Sequence, residues 1–357
     1  MPLELTTAGE SHGPALVAVV VGLPAGLVLD RAAIDTDLRR RQEGYGRSPR
    51  QAIEQDEVEV LAGLRHGRTL GTPLALVVRN RDHANWAWGM SPWPPGGEPS
   101  GKGTKPVTLP RPGHADFAGA LKHGLGDARD ALERASARHT AAHVAAGSVG
   151  KALLAAIGIE VRGAVLDEEE LRRRVDEARA ERDTVGGTVE VRATGVPPGL
   201  GTYATKEGRL DARIAAALMG IQAVKGVEIG DGFALAGLRG SEAHDELLPG
   251  PTRETNRAGG LEAGVTNGEE LVARAAMKPL PTLMRPLRSI DLETGEPGEA
   301  LVERSDVAAV EALAVVAEAA VAWELARAAR EKFGGDSLDD FVGAHRAYLG
   351  RIPWRPR

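Results

Sequence analysis

Gly9-Glu10-Ser11-His12-Gly13 sets a hydroxyl and an imidazole between small residues in a turn close after a strand. That placement suits proton transfer, although a surface turn carrying a titratable His would use the same residues. Arg39-Arg40-Arg41, Arg47 and Arg50 crowd five guanidinium groups around Gly44-Tyr45-Gly46, opposed by Glu43 alone. Guanidinium groups at a helix end and on the glycine turn after it can converge on a phosphate or carboxylate through bidentate hydrogen bonds. Arg111-Pro112-Gly113-His114-Ala115-Asp116 opens a helix, so His114 stands where unpaired backbone N–H groups favour anions. Arg134-Ala135-Ser136-Ala137-Arg138 places two Arg and a hydroxyl just before another helix. Its small residues would let a flat or phosphorylated ligand approach the backbone, while a Ser N-cap between solvated Arg is the plainer alternative. Lys278-Pro279-Leu280-Pro281-Thr282 follows a strand-like run, and Glu303-Arg304-Ser305-Asp306 opens a long Ala-rich helix. Asp306 taken alone needs no role beyond compensating a helix dipole.

The elements that must position these groups are legible from periodicity. Residues 1–30 give short apolar strands around the first turn, and Asp30 is placed to cap a helix through Arg41. Strands are predicted at 58–62, 74–78, 159–165, 188–193 and 227–229, and helices at 115–125, 138–157, 168–181 and 210–218. Residues 80–112 hold three of the five Trp among many Pro and Gly, which predicts a lid rather than a regular element. Residues 305–333 contain neither Gly nor Pro and 11 Ala, which predicts one helix capped by Ser305. Strands and helices alternate without the repeat of a doubly wound parallel sheet, so an α+β architecture is expected.

Composition narrows the function. The 357 residues carry 50 acidic and 44 basic side chains, a formal charge of −6, and no Cys. A disulfide scaffold, a Cys-ligated zinc and a thiol nucleophile are therefore excluded. The longest apolar stretch, 307–323, contains Glu311 and Glu318 and is shorter than a bilayer requires, so it reads as a core helix. The first residues lack the basic-then-apolar pattern of a signal peptide, and a cytoplasmic protein is expected. A nucleic-acid-binding protein would use the Arg-rich segment as its footprint, but a pI near 5.9 and the lack of a further basic stripe oppose that.

Taken in order, the runs above that begin at Gly9, Arg39, Arg111, Arg134 and Glu303, together with Ala223-Val-Lys-Gly-Val-Glu-Ile-Gly-Asp-Gly232 and Met277-Lys-Pro, make the chain resemble the chorismate synthase family from Gly9 to Asp306. One departure is His139, where the family usually has Glu after Ser-Ala-Arg. The resemblance implies helices between two antiparallel β-sheets in a single large domain spanning 1–357, with a mobile lid at about 80–112, assembled as a homotetramer. It implies loss of phosphate from C3 and of the pro-R hydrogen from C6 of 5-enolpyruvylshikimate 3-phosphate. Reduced FMN would be used without net redox change, in the last step of the shikimate pathway to aromatic amino acids. Carried onto this chain, Arg41, Arg47, Arg50, Arg111, Arg134 and Arg304 would grip substrate anions.

By the same resemblance His12 would protonate the leaving phosphate, and His114 would lie near the reduced flavin. Asp306 would take the C6 proton, directly or through flavin N5, and Ser11 and Ser136 would relay protons. FMN would lie across Arg134, Ala135, Ser136, Gln222, Ala223, Ala263, Lys278, Pro279, Leu280, Pro281, Thr282 and Arg304. No metal is implied. The chain has no G-x-G-x-x-G after a strand, so an external flavin reductase is expected, with NADPH only an indirect source of electrons. A phosphate-ester lyase that needs no flavin is the competing enzyme reading.

Overall fold

The computed structural model describes residues 1–48, 54–249, 252–302 and 306–352. Arg50, Arg304 and Ser305 lie outside the described residues. β1 (Glu4–Ala8) turns back into β2 (Ala15–Val21), whose Leu16, Ala18 and Val20 alternate inward. α1 (Arg31–Gln42) begins where the Asp30 carboxylate accepts the Ala32 N–H, as the sequence predicts. β3 (Val58–Ala62), a ribbon of β4 (Leu64–Arg65) and β5 (Arg68–Thr69), and β6 (Leu74–Arg79) complete the first half. The order of this sheet is β1-β2-β6-β3, all antiparallel.

Three helices follow: α2 (Asp116–His123), α3 (Arg129–Ala135) and α4 (Thr140–Ala155). The second half runs β7 (Glu160–Val165), α5 (Glu168–Glu181), β8 (Gly187–Thr194), α6 (Leu210–Met219), β9 (Val224–Ile229) and a single turn, α7 (Gly240–Ala243). Ribbons β10 (Leu247–Leu248) with β11 (Thr252–Arg253) and β12 (Leu261–Glu262) with β13 (Val265–Thr266) lead to β14 (Leu271–Met277). The second sheet, β7-β8-β14-β9, is again antiparallel. After the ribbon β15 (Arg288–Ile290) and β16 (Pro297–Glu299) come α8 (Val310–Phe333) and α9 (Leu338–Arg351).

α4 covers β2 and β6, α8 covers β7 and β8, and the two helices lie against each other, which makes a sheet–helix–helix–sheet sandwich. Small residues set the spacing. A Cβ on Gly147 of α4 would fall 2.4 Å from the Ala319 Cβ of α8, and one on Gly163 of β7 would fall 2.3 Å from the Ala314 carbonyl oxygen. Ala at either position would push the layers apart. Inside this seam Arg40 donates twice to Glu318 (3.0 and 2.9 Å), and Lys151 lies 2.6 Å from both Asp37 and Glu318. Ser148 donates to Asp37 and the Gly163 N–H to Glu318, so α1, α4, α8 and β7 share one charge cluster. Among the described residues no helix is long and apolar enough to cross a membrane.

One expectation needs correction. The long helix begins at Val310, not at Ser305, because the N–H groups of Val307 and Ala308 bond to the Gly46 carbonyl (2.8 and 3.5 Å) across the fold. Asp306 therefore precedes the helix and compensates no first turn. The 80–112 segment is largely irregular, as expected, apart from a short 3-10 turn at Arg81–Asn85. Asp82 accepts from Asn85, Trp86 and Lys102, and these bonds outweigh its burial and hold its carboxyl at about 2.

Candidate active site

A cavity of about 530 Å³ opens where the ends of both sheets meet the starts of α4 and α8. Its wall gathers Ser11, His12, Arg41, Arg47, Arg111, His114, Ala135, Ser136, Gln222, Ala223, Lys278, Leu280, Pro281, Thr282 and Asp306. These come from all seven sequence motifs. Three of the named residues are not brought to the wall: Arg134, Ala263 and Pro279. The Arg134 guanidinium is instead spent on the Thr7 and Gly9 carbonyls, each at 3.2 Å, where it ties α3 to the first strand. Ala263 sits in the tight turn between β12 and β13 with φ +50.

Helix geometry divides the Arg39–Arg41 run, since consecutive residues point about 100° apart. Arg39 faces out and bonds to Thr36, Arg40 faces the interior cluster, and only Arg41 reaches the cavity. Arg41 is 5% exposed and lies 2.9 Å from Asp56, which also takes Arg138 at 2.7 Å. Burial, helped by the nearby Arg138 and Arg47 cations, pushes Arg41 down to about 10 despite Asp56, and its Nε has no partner among the described residues. Arg47 is lowered by burial as well, although it pairs with Asp306 at 2.8 Å. The second Asp306 oxygen accepts the Ser48 N–H at 2.6 Å. The wall is thus richer in cations than in carboxylates, a setting that favours a negatively charged ligand.

On the facing side His114 and Arg111 share Asp116. Arg111 donates Nε at 2.8 Å and His114 approaches through Nδ1, and these bonds outweigh burial to hold the Asp116 carboxyl well below the usual range. Arg111 also reaches Thr282 (3.1 Å), and Lys278 donates to the Gly113 carbonyl (2.6 Å). Ser136 donates to Ser11 at 3.2 Å and caps the turn into α4 by accepting the Arg138 N–H. His139 donates Nδ1–H to Ser136 and accepts from Gln222 at Nε2. This is the pattern of a neutral ring, and burial, followed by Arg134, pushes it that way.

Sequence reasoning missed several members of the site. Arg138, which closes the Arg-Ala-Ser-Ala-Arg run, lines the cavity, and its place two residues after the Ser cap could have revealed it. Glu133 and Trp86, which hold His12, carry no local signal, since their neighbour lies far away in the chain.

The sandwich and its cation-rich cavity define an enzyme that handles an anionic small molecule. The family model for chorismate synthase matches residues 3–329. A chorismate synthase of Symbiobacterium thermophilum is 51% identical over 99% of this chain and all of its own length, and one of Desulforudis audaxviator is 50% identical over 98% of each chain. A crystal structure of chorismate synthase superposes with a TM-score of 0.78 at 34% identity, covering 99% of this chain and 98% of that one. The chain belongs to the chorismate synthase family, lyases that act on a phosphate ester.

Proposed function

We propose that the protein converts 5-enolpyruvylshikimate 3-phosphate to chorismate with reduced FMN, the last step of the shikimate pathway. The observation that carries this reading is the single cavity in which Ser11, His12, Arg47, Arg111, His114, Ser136 and Asp306 meet. The wall suits the flavin. Gly113, Ala115, Ala135, Ala137 and Ala223 leave room for a flat ring, and Ala223 holds a left-handed φ of +67 that turns its backbone. The buried Gln222 Oε1 has no hydrogen-bond partner among the described residues and would accept a ring N–H. Gln222, Ala223, Ala135, Ser136, Lys278, Leu280, Pro281 and Thr282 would hold FMN, as would Arg304, which lies outside the described residues. When bound, reduced FMN supplies electron density to a substrate that is losing phosphate, and it ends the turnover reduced.

The remaining work belongs to the chain. Arg41, Arg47, Arg111 and Arg138 bind the two carboxylates and the phosphate, and an anion between Arg41 and Arg138 offsets the burial, and with it the repulsion from Arg138, that depress Arg41. His12 gives a proton to the departing phosphate oxygen. Asp306 takes the C6 proton and is held in place for it by Arg47 and the Ser48 N–H. Ser11 and Ser136, in contact through their hydroxyls, relay protons, and His114, oriented by Asp116, faces the ring. The 80–112 segment serves as a lid tied to the site where Trp86 stacks on His12, so protease cleavage there is expected to slow in the ternary complex. The same reading makes the protein a cytoplasmic homotetramer dependent on an external flavin reductase. Anaerobic assay with substrate and dithionite-reduced FMN, followed by chorismate absorbance, tests it. No product with flavin bound would overturn the reading, and equal product without flavin would favour the flavin-free lyase. Steady turnover in air with NADPH and oxidised FMN alone would remove the external reductase.

A further inference from the structure

His12 is held more closely than a proton donor in a glycine turn needs to be. Glu133, 1% exposed on α3, places its two oxygens 2.9 and 3.0 Å from His12 Nδ1, and one of them also accepts the His12 backbone N–H at 2.8 Å. The ring lies flat on Trp86, with centroids 3.9 Å apart and planes at 20°. Trp86 is itself fixed by donating Nε1–H to Asp82 at 2.9 Å. His83 donates to the His12 carbonyl at 2.9 Å, and Arg129, one turn before Glu133, stands 3.7 Å from its carboxylate and 5.1 Å from the Trp86 ring. Lys102, 5.9 Å from that ring, completes the charged surroundings. Glu133 therefore holds both the ring edge and the main-chain N–H of one histidine, while His83 holds its carbonyl and Trp86 its ring face.

We infer that Glu133 is a positioning residue for His12: it accepts Nδ1–H and so dedicates Nε2 to the ligand of the cavity. The inference rests on the reading of His12 as proton donor. Which imidazole nitrogen carries the proton is set by the bond the other nitrogen makes, and a free neutral ring favours Nε2–H. A buried carboxylate on Nδ1 reverses that preference and stabilises the doubly protonated ring as an ion pair. The step then balances. As the C3–O bond breaks, its electron pair goes to the phosphate oxygen, the Nε2 proton moves to that oxygen, and the ring is left neutral with its proton on Nδ1. Without Glu133 the neutral ring would return to Nε2–H, and its basic nitrogen would face the wrong way for the next proton.

Two readouts test this on the full-length protein. In the ligand-free protein at alkaline pH, ring 15N shifts should report Nδ1–H for His12, with the Nε2–H form appearing in Glu133→Gln. In the enzyme with reduced FMN, Glu133→Gln should lower kcat about 30-fold while substrate KM stays within about threefold. Glu133→Asp, which keeps the charge, should recover part of the loss and guards against a folding defect. A wild-type ring protonated at Nε2, or a Glu133→Gln variant with normal kcat and an unchanged tautomer, overturns the inference. The underlying reading fails separately: a His12→Ala variant with normal turnover would remove His12 as the donor whatever Glu133 does.

Discussion

Arg40 and Arg41 are neighbours on one helix, yet they stand in opposite electrostatic settings. Arg40 belongs to a cluster of two cations and two carboxylates, with the Gly163 N–H and the Ser148 hydroxyl filling further positions. Its charge is reinforced, chiefly by the hydrogen bond to Glu318, and the Glu318 carboxyl is held below its usual range despite burial. Arg41 shares Asp56 with Arg138, stands near Arg47 and is pushed down to about 10. The balanced cluster holds layers together, whereas the unbalanced wall stores unfavourable burial that a bound anion can release. Charge balance separates the interior Arg from the cavity Arg here, where sequence adjacency does not.

If that distinction holds, charge changes in the two regions should affect different measurements. Glu318→Gln leaves Arg40 and Lys151 to share Asp37, and loss of one member of a buried cluster should cost about 3–5 kcal/mol in urea unfolding. The protein that remains folded in the cold should keep normal kcat, and a large catalytic loss would place the cluster in the site. Asp306→Asn should do the reverse. Turnover should fall roughly 100-fold or more with flavin and substrate still bound, since the amide cannot take a proton. Retention of more than about a tenth of wild-type activity would sink the base assignment. Arg47→Ala should weaken substrate binding about 10- to 150-fold, or about 1.5–3 kcal/mol, with flavin affinity nearly unchanged. Unaltered apparent substrate affinity would leave Arg47 only its pairing with Asp306.

The smallest effect concerns His143, behind the wall, where burial, then His139 and Arg134, push the ring down to about 4. Its folded value is below its unfolded one, so the unfolded state binds the proton first and stability falls as pH drops from about 6.5 towards 4. His143→Gln should remove that slope. Screened by partial exposure, the gain relative to wild type at pH 5 should be about 1–2 kcal/mol, with little change at pH 8. Parallel stability curves for the two proteins would contradict it.

What the sequence disclosed was local. Asp30 capping α1, the apolar strand β2, and the glycine and Arg runs beside the cavity all follow from neighbours in the chain. The start of α8 did not, because Gly46 captures two N–H groups that Ala-rich propensity would have placed in the helix. α9 escaped notice because Gly343 and Gly350 interrupt its modest apolar pattern. The 80–112 segment lacks periodicity, and its order comes from side chains such as Asp82 bonding across it. Within the site, residue types were legible and partners were not. Arg47 to Asp306, Arg41 to Asp56 and Glu133 to His12 are pairings that only the packed layers create.

The wall runs in sequence from Ser11 to Val316, and its decisive contacts join residues more than a hundred positions apart. A chain emerging from the ribosome therefore has no working cavity until α8 is released and inserted between two sheets that were made earlier. Such long-range closure predicts slow folding with exposed apolar sheet faces along the way, and a dependence on chaperoning that a domain built from local contacts would not show.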